Sequence, residues 1–456
     1  MPDTDLPLVA AKVKTALARR RDDPVAPPID QGALAACLAA YDFAAPRPLT
    51  DVVDDLLALL RGFAIRSDHP RYFGLFNPPA LPAAIAGDLV GSAMNPQLAV
   101  WSHAPAAAEI ERKLVRLFGG FVWPGIDVAG TFTTGGTEAN GTALLAALAR
   151  RYPGWADEGL PRDGRRPAIY ASAESHLAWI KLARMAGLGA DAVRLVPSDD
   201  GLRMSGAGLA AAIERDAGFD PVLVVATAGT TAQGAIDDLG GIAEAGRACD
   251  AHVHVDAAWA GAALLHPAHR PLFAGIEEAD SVTIDPHKWL SVPMGAGLYL
   301  ARNWAPLRRA FAVSTSYMPS ASLEHRDAYI HSAQWSRRFI GAKLFTALAT
   351  LGLPGYRALI DRTILLADRL REGLRRDGWA IVNDTWLPIV GFAPAEEDDE
   401  AVKRIEEAVV HSGIAWISSV KAAGRLVLRA CITSFESDEA DIDALLGALH
   451  DARKAA

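Results

Sequence analysis

The sequence predicts an α/β protein with a large domain built on a mostly parallel sheet and a smaller α+β domain at its carboxyl-terminal end. From about residue 103, helical patterns alternate with short runs rich in β-branched residues, which read AIYAS, AVRLV, VLVVAT, HVHVDA, SVTID and GLYLA. Strands that alternate with helices form a mostly parallel sheet that is covered on both faces. After about residue 345, a long helical stretch precedes WAIVND, PIVGFA and RLVLRACIT, which is typical of a separate α+β domain.

The amino-terminal segment departs from this alternation. It carries short helical patterns separated by the proline-rich joints DDPVAPPID and APRPLTD. Short helices of this kind cannot bury their apolar faces alone, so we expect a helical arm that packs on another surface. The expected organisation is an arm over 1–75, a large domain over 76–344 and a small domain over 345–456.

Composition limits the classes of function. The chain has 456 residues, 51% of them hydrophobic, which favours a multi-domain globular protein. A net charge of -9 and no basic run beyond residues 19–21 argue against nucleic acid as a partner. Three cysteines far apart, Cys37, Cys249 and Cys431, indicate a reducing compartment. No apolar run reaches the length of a membrane span, so we expect a cytoplasmic protein that is neither exported nor embedded.

The first segment with chemical potential is TFTTGGTEANGTALLAALAR, in which Gly135, Gly136 and Thr137 open a helix. Free amides and the helix dipole at such a start suit a phosphate group. The segment is not a Walker loop, because no lysine follows the glycines. Glycines at a helix start also serve close packing, and on the residues alone both interpretations stay open.

The second segment is ADSVTIDPHKWLSVPMGAG, where a predicted strand ends at Asp285 and the following turn holds His287 and Lys288. Ligands gather at the carboxyl ends of parallel strands. A lysine amine among apolar neighbours, here Trp289 and Leu290, is suited to form an imine with an aldehyde. The alternative is an ordinary surface lysine.

The third segment, HVHVDAAWAG, places His252, His254 and Asp256 on one face of a strand. A metal site is one interpretation, but we expect no metal, because no further cluster of ligands completes the shell. Asp256 at the strand end is better suited to pair with the ring nitrogen of a cofactor. His176, at the start of a helix after a strand, and Thr231, beyond a buried strand, are either cofactor contacts or local capping and turn residues.

Taken together, these segments resemble the group II pyridoxal-phosphate-dependent amino acid decarboxylases, in order from about His69 to Phe435. The most specific match is Asp-Pro-His-Lys-Trp at 285–289, where the family has Asn-Pro-His-Lys-Trp. HVDAAWAG, ATAGTT and the APAAAEIE stretch at 104–111 match independently.

The resemblance implies the pyridoxal-phosphate-dependent transferase fold of the aspartate aminotransferase type (fold type I). It also implies pyridoxal 5'-phosphate as cofactor and an obligate homodimer with active sites at the subunit interface. Lys288 would form the internal imine, Asp256 would pair with the pyridine nitrogen, and His176 would stack on the ring opposite Ala258. The phosphate contacts would be Gly136, Thr137 and His287, and Thr231 would supply a nearby hydroxyl.

The stretch VSTSYMPSAS at 313–322 resembles the mobile catalytic loop of these decarboxylases. Its Tyr317 lies 29 residues after Lys288, where the aromatic decarboxylases have their loop tyrosine. This resemblance implies that Tyr317 protonates the substrate's α-carbon as a general acid after carbon dioxide leaves. An exposed loop aromatic is the alternative.

The predicted reaction is decarboxylation of an L-amino acid to the amine and carbon dioxide, with an aromatic substrate favoured. Two departures from the family bear on this prediction. The aromatic decarboxylases have an aromatic pair followed by proline, whereas this chain has Leu75 and Phe76 followed by Asn77. Asp285 also stands where the family has asparagine. Trp101 still offers an apolar wall. The alternatives are a carbon-carbon lyase or an oxidative relative with the same cofactor, a catalytically inactive homologue, and a metal hydrolase that uses the His252 segment.

Overall fold

The structure of the protein is a computed structural model that describes residues 6–162, 164–314, 327–395, 398–422 and 424–455. The helices in these ranges are α1 (Leu6–Ala18), α2 (Gln31–Ala39), α3 (Leu49–Gly62), α4 (Pro82–Met94), α5 (Pro105–Val122), α6 (Gly136–Arg151), α7 (Trp155–Glu158), α8 (Ala178–Met185), α9 (Gly206–Arg215), α10 (Leu239–Ala248), α11 (Ala305–Phe311), α12 (Gly341–Arg376), α13 (Asp399–His411) and α14 (Glu439–Ala455). The strands are β1 (Ala129–Thr133), β2 (Arg166–Ser172), β3 (Val193–Val196), β4 (Phe219–Thr227), β5 (His252–Asp256), β6 (Ser281–Ile284), β7 (Gly297–Ala301), β8 (Trp379–Ile381), β9 (Ile389–Pro394), β10 (Ser418–Ala422) and β11 (Arg425–Cys431).

Two compact units divide the chain. The first comprises Met1–Pro79, Thr363–Val382 and Pro388–Ala456, and the second comprises Ala80–Arg362 and Asn383–Leu387. The three domains expected over 1–75, 76–344 and 345–456 stay a prediction. None of the helices in the described ranges combines the length and the apolar character that crossing a membrane requires.

The second unit is built around a sheet whose described strands have the order β1-β7-β6-β5-β4-β2-β3. Strands β3, β2, β4, β5 and β6 pair in parallel, whereas β7 and β1 pair antiparallel at one edge. Every residue of β5, β6 and β7 is buried, as expected for strands that are covered on both faces. The predicted mostly parallel sheet is confirmed.

Parallel pairing has a direct consequence for function. The carboxyl ends of β4, β5 and β6 lie side by side, with Thr227 paired to Asp256 and Asp256 paired to Thr283. Polar residues that end these strands or follow them therefore meet at one edge of the sheet, although they are far apart in the sequence.

The first unit contains an antiparallel sheet with the order β10-β11-β9-β8. Its apolar core joins this sheet to α13, α14 and the end of α12, through residues such as Leu370, Ile405 and Leu445. Helices α1, α2 and α3 contain no buried residue, and they leave large apolar side chains such as Leu56 and Leu60 exposed. The predicted small α+β domain is confirmed, and the structure shows that its sheet is antiparallel.

Candidate active site

The turn between β1 and α6 forms one wall of the site. Strand β1 ends at Thr133 and α6 begins at Gly136, so the first amides of α6 have no partner inside the helix. A Cβ atom on Gly136 would lie 2.7 Å from Asp285 Oδ2, so a larger residue would displace that carboxylate. Thr134 donates its amide and its hydroxyl to Glu138 Oε2, at 2.8 and 2.7 Å, which fixes the turn. The open amides and the helix dipole favour an anion here.

The turn after β6 brings a carboxylate, an imidazole and an amine together. Lys288 Nζ lies 3.1 Å from Asp285 Oδ2, and His287 Nε2 lies 3.9 Å from the same oxygen. Only 1% of the Asp285 side chain is exposed, and its Oδ1 atom is buried with no hydrogen-bond partner among the described residues. The ion pair with Lys288 is therefore the main compensation for a buried negative charge.

His287 is held by the strand that follows it. Its Nδ1 atom lies 2.6 Å from the carbonyl oxygen and 3.3 Å from the amide nitrogen of Ala296, which fixes the ring. Nε2 is the ring nitrogen nearer to Asp285. Burial lowers the pKa of His287, and the nearby Asp285 carboxylate opposes this shift only in part. A neutral imidazole thus faces the site near neutral pH.

Asp256 stands at the end of β5 and is fixed by two hydrogen bonds. Its Oδ1 accepts the amide of Ala258 at 3.1 Å, and its Oδ2 accepts Nδ2 of Asn140 at 2.7 Å. Asn140 lies on α6, one helical turn after Gly136, and is itself buried. The carboxylate therefore has a fixed orientation at the base of the site.

His176 lies in the turn after β2. Ser175 Oγ and Thr227 Oγ1 are 2.9 Å apart, which ties this turn to the end of β4. His176 itself is exposed, and its Nδ1 accepts the amide of Ala178 at 3.1 Å. The ring is thus oriented without being enclosed, as a residue that covers a bound ligand would be.

These elements enclose a cleft with a volume of about 310 Å³. Its walls include every site residue predicted from the sequence that the structure describes: Gly136, Thr137, His176, Thr231, Asp256, Ala258, His287 and Lys288. The predicted general acid, Tyr317, lies outside the described residues. The structure thus brings together residues that are up to 152 positions apart, from Gly136 to Lys288.

Sequence reasoning missed Asn140 and the ion pair of Lys288 with Asp285. Asn140 was detectable in principle, because it follows Gly136 by four positions and so shares its face of the helix. What the sequence did not provide was the packing of α6 against the end of β5. The ion pair has the same kind of signal, since Asp285 and Lys288 are three positions apart in a turn.

The histidines of the alternative metal interpretation are engaged with a serine. His252 Nε2 and His254 Nδ1 both lie 2.8 Å from Ser281 Oγ. The described residues place a different group at ligand distances, formed by His266, His269 and Asp361. There the Nδ1 atom of His266 accepts the amide of Ala268 at 3.2 Å, so in the neutral ring Nε2 carries the proton and donates to Asp361. This is the pattern of a hydrogen-bonded pair.

The cleft fits pyridoxal phosphate, the cofactor that the sequence resemblance implies. The open amides at the start of α6 suit the phosphate. The amine of Lys288 suits the aldehyde, and the fixed carboxylate of Asp256 suits a protonated ring nitrogen. An anion site, an amine and an acid thus line one cleft.

Comparisons with known proteins agree with this reading. The family model described as "Pyridoxal-dependent decarboxylase conserved domain" matches residues 39–394. Tryptophan decarboxylase 1 of Oryza sativa subsp. japonica is 31% identical over 402 residues, which cover 81% of this chain and 77% of the relative. Cysteine sulfinic acid decarboxylase of Mus musculus is 30% identical over 416 residues, with coverages of 85% and 83%. A solved structure, Oryza sativa TDC with PLP and tryptamine, superposes with a TM-score of 0.91 at 25% identity and covers 100% of this chain and 99% of that one.

Proposed function

We propose, from the premise that this chain belongs to the family of pyridoxal-dependent decarboxylases, that its substrate is an aromatic L-amino acid. Membership makes the chain an amino acid decarboxylase, a carboxy-lyase that uses pyridoxal phosphate. It leaves the substrate open, because one relative is named for tryptophan and another for cysteine sulfinic acid. The residues that line the cleft therefore bear on the choice between such substrates.

The lining of the cleft supports an aromatic substrate. Its apolar surface comes from Trp259, Met294 and Ala178, and no arginine is among the described residues that line it. Trp259 donates its Nε1 proton to the carbonyl of Gly229 at 2.7 Å, which fixes the ring. An anionic side chain such as a sulfinate would need a cationic partner when desolvated. A flat apolar side chain needs only apolar contact of the kind present here.

The roles of the chain's residues follow from their chemistry. When bound, pyridoxal phosphate supplies an electron sink for the bond to the departing carboxylate. We assign Lys288 to hold the cofactor covalently, and Gly136, Thr137 and His287 to hold its phosphate. Asp256 pairs with the ring nitrogen, His176 and Ala258 cover the two ring faces, and Thr231 supplies a hydroxyl. Lys288 has Asp285 at 3.1 Å, so the amine that a substrate displaces keeps a carboxylate partner.

Protonation of the substrate carbon is assigned to Tyr317. Replacing this residue with phenylalanine removes the acidic hydroxyl and leaves the assigned cofactor contacts in place. We expect Tyr317→Phe to bind the cofactor normally while losing amine formation about 100-fold, the usual range for one general acid. Product analysis by mass spectrometry is the measurement. Amine output equal to that of the unmodified enzyme would remove the tyrosine from the mechanism.

We further assign a homodimer as the working form. The apolar side chains that α1 and α3 expose, among them Leu8, Leu56 and Leu60, support a partner surface. Light scattering coupled to size exclusion tests this assignment, and twice the chain mass of 48.3 kDa is the expected result. A particle of single-chain mass with full activity would overturn it.

The substrate is tested by incubating purified holoenzyme with a pool of L-amino acids and identifying products by mass spectrometry. An amine one carboxyl group lighter than an aromatic parent is the expected product. Lys288→Ala is the control, because this variant should form none of that amine. An amine derived from cysteine sulfinate would replace the aromatic assignment with the acidic one. Aldehyde, or a product of carbon-carbon cleavage, would replace decarboxylation by the oxidative or lyase reaction.

A further inference from the structure

A chain of buried hydrogen bonds leads away from Asp256 into the sheet. Asn140 Nδ2 lies 2.7 Å from Asp256 Oδ2, and Asn140 Oδ1 lies 3.2 Å from His254 Nε2. His254 Nδ1 lies 2.8 Å from Ser281 Oγ, which in turn lies 2.8 Å from His252 Nε2. Each of the four residues behind Asp256 is at most 3% exposed, so solvent water does not compete for these hydrogen bonds.

The direction of every hydrogen bond in this chain follows from the first. An ionised carboxylate only accepts, so Asn140 turns its NH₂ group to Asp256 and its oxygen to His254. That oxygen requires a proton on His254 Nε2, which leaves Nδ1 of the neutral ring as an acceptor. Ser281 then donates its single proton to His254. His252 must therefore donate its Nε2 proton to Ser281.

The surroundings keep both histidines neutral. Burial lowers the pKa of His252 from 6.5 to about 4, and it also lowers the pKa of His254 well below its usual value. His254 lies between the rings of Trp179 and Tyr299, with centroid distances of 5.8 and 6.4 Å. At the far end, Nδ1 of His252 is buried with no hydrogen-bond partner among the described residues, 4.0 Å from Asp280 Oδ2. The chain therefore begins at an acceptor nitrogen and runs in one direction.

We propose that Asn140, His254, Ser281 and His252 are positioning residues that orient the carboxylate of Asp256 and stabilise its negative charge. All four donors point toward Asp256, and hydrogen bonds aligned in this way polarise one another in a low-dielectric interior. The proposal rests on the role proposed for Asp256 as partner of the cofactor ring nitrogen. It gives a function to the two histidines of the HVHVDAAWAG segment.

Alignment makes the expected effects graded. Asn140 touches the carboxylate, so its loss removes a hydrogen bond to a buried charge, which lowers a rate by about 10- to 100-fold. Ser281 and His252 act through two and three intervening contacts, so their loss lowers the same rate by only a few-fold. If the role of these residues were purely structural, the loss of rate in each variant would follow its loss of stability and not the position of the residue along the row of hydrogen bonds.

The first test uses the apoprotein and does not depend on catalysis. Protein labelled with ¹⁵N-histidine is examined by two-bond ¹⁵N–¹H correlation, with His252→Gln and His254→Gln variants to assign the signals. Both histidines are expected as neutral rings protonated at Nε2. A proton on Nδ1 of His254 reverses the chain and overturns the proposal, whatever reaction the enzyme catalyses.

The second test compares variants of the holoenzyme. Asn140→Leu is expected to lower kcat by about 10- to 100-fold with a change in substrate KM of no more than about threefold. It should also shift the ¹⁵N resonance of cofactor labelled at the ring nitrogen. His254→Leu should lower kcat to an intermediate degree, and His254→Gln, which retains a donor and an acceptor, should restore it.

Thr142→Val is the matched control for these variants. Thr142 is also buried on α6, and its hydroxyl donates to the carbonyl of Glu138 at 2.9 Å, outside the chain. This variant should leave kcat and the ¹⁵N resonance unchanged. Equal losses in Thr142→Val and Asn140→Leu, or an unshifted resonance in Asn140→Leu, would overturn the proposal. A wild-type enzyme without decarboxylase activity would instead remove the proposed function. The tautomer measurement would still test the direction of the hydrogen bonds behind Asp256.

Discussion

At the scale of single residues, Asp285 stands where the family resemblance leads one to expect asparagine. Its carboxylate pairs with Lys288 at 3.1 Å and touches the start of α6, where the phosphate would be held. Its second oxygen is buried with no hydrogen-bond partner among the described residues. The site therefore contains one more buried negative charge than the family pattern requires.

Replacing Asp285 with asparagine should tighten cofactor binding. The Asp285 carboxylate and the phosphate of the cofactor are both negative, and like charges about 4 Å apart repel by about 4 kcal/mol at an effective dielectric constant of 20. The ion pair of Asp285 with Lys288 offsets part of this repulsion. We expect the Kd for pyridoxal phosphate to fall about tenfold in Asp285→Asn, which corresponds to about 1.4 kcal/mol. Absorbance titration of the apoenzyme measures it. Asp250→Asn, an equal charge change at an exposed side chain, should leave the Kd unchanged. Weaker binding in Asp285→Asn would show that the ion pair matters more than the repulsion.

Residues that end strands were the part of the site most open to sequence prediction. Asp256 and Lys288 each follow a buried β-branched run, and the carboxyl ends of parallel strands meet at one edge of the sheet. The contacts of Asn140 were not predictable in this way. They depend on the rotation of α6 against β5, which is set by side-chain packing between distant segments.

At the scale of elements, the turn after β4 is held in a conformation that requires glycine. Gly229 has a φ of +98°, and a Cβ atom there would lie 2.6 Å from the Cβ of Ala260. Its carbonyl accepts the Trp259 indole N–H at 2.7 Å, so the turn and one wall of the cleft are fixed together. The alternation of strands and helices predicts that a turn exists here, but it does not predict this contact.

Gly229→Ala should destabilise the protein by about 2–4 kcal/mol. The left-handed backbone costs an alanine about 1–2 kcal/mol, and the overlap with Ala260 adds about 1–2 kcal/mol. The urea midpoint monitored by tryptophan fluorescence measures the loss. Gly218→Ala, just before β4, is the matched control, because a Cβ there meets no atom within 4 Å. Equal midpoints for the two variants would contradict the strain assigned to Gly229.

At the scale of the whole molecule, each unit contains a buried histidine that cannot readily accept a proton. Burial lowers the pKa of His69 in the first unit from 6.5 to about 4, and it lowers the pKa of His252 in the second unit to about 4 as well. Composition could not reveal this, because the sequence shows twelve histidines without their burial. The two units should therefore respond to acid together.

The contribution of these two histidines to the free energy of unfolding should be complete above pH 6.5 and fall as the pH drops toward 4. Between these limits the unfolded chain takes up protons at the two histidines while the folded chain does not, so acid favours unfolding. At pH 5 the expected loss is on the order of 2 kcal/mol for each histidine. Urea midpoints at pH 7.5 and pH 5 measure it. His69→Gln should weaken this dependence, whereas His411→Gln, at an exposed position, should preserve it. An unchanged pH dependence in His69→Gln would mean that the His69 ring gains protons equally in the folded and unfolded chains.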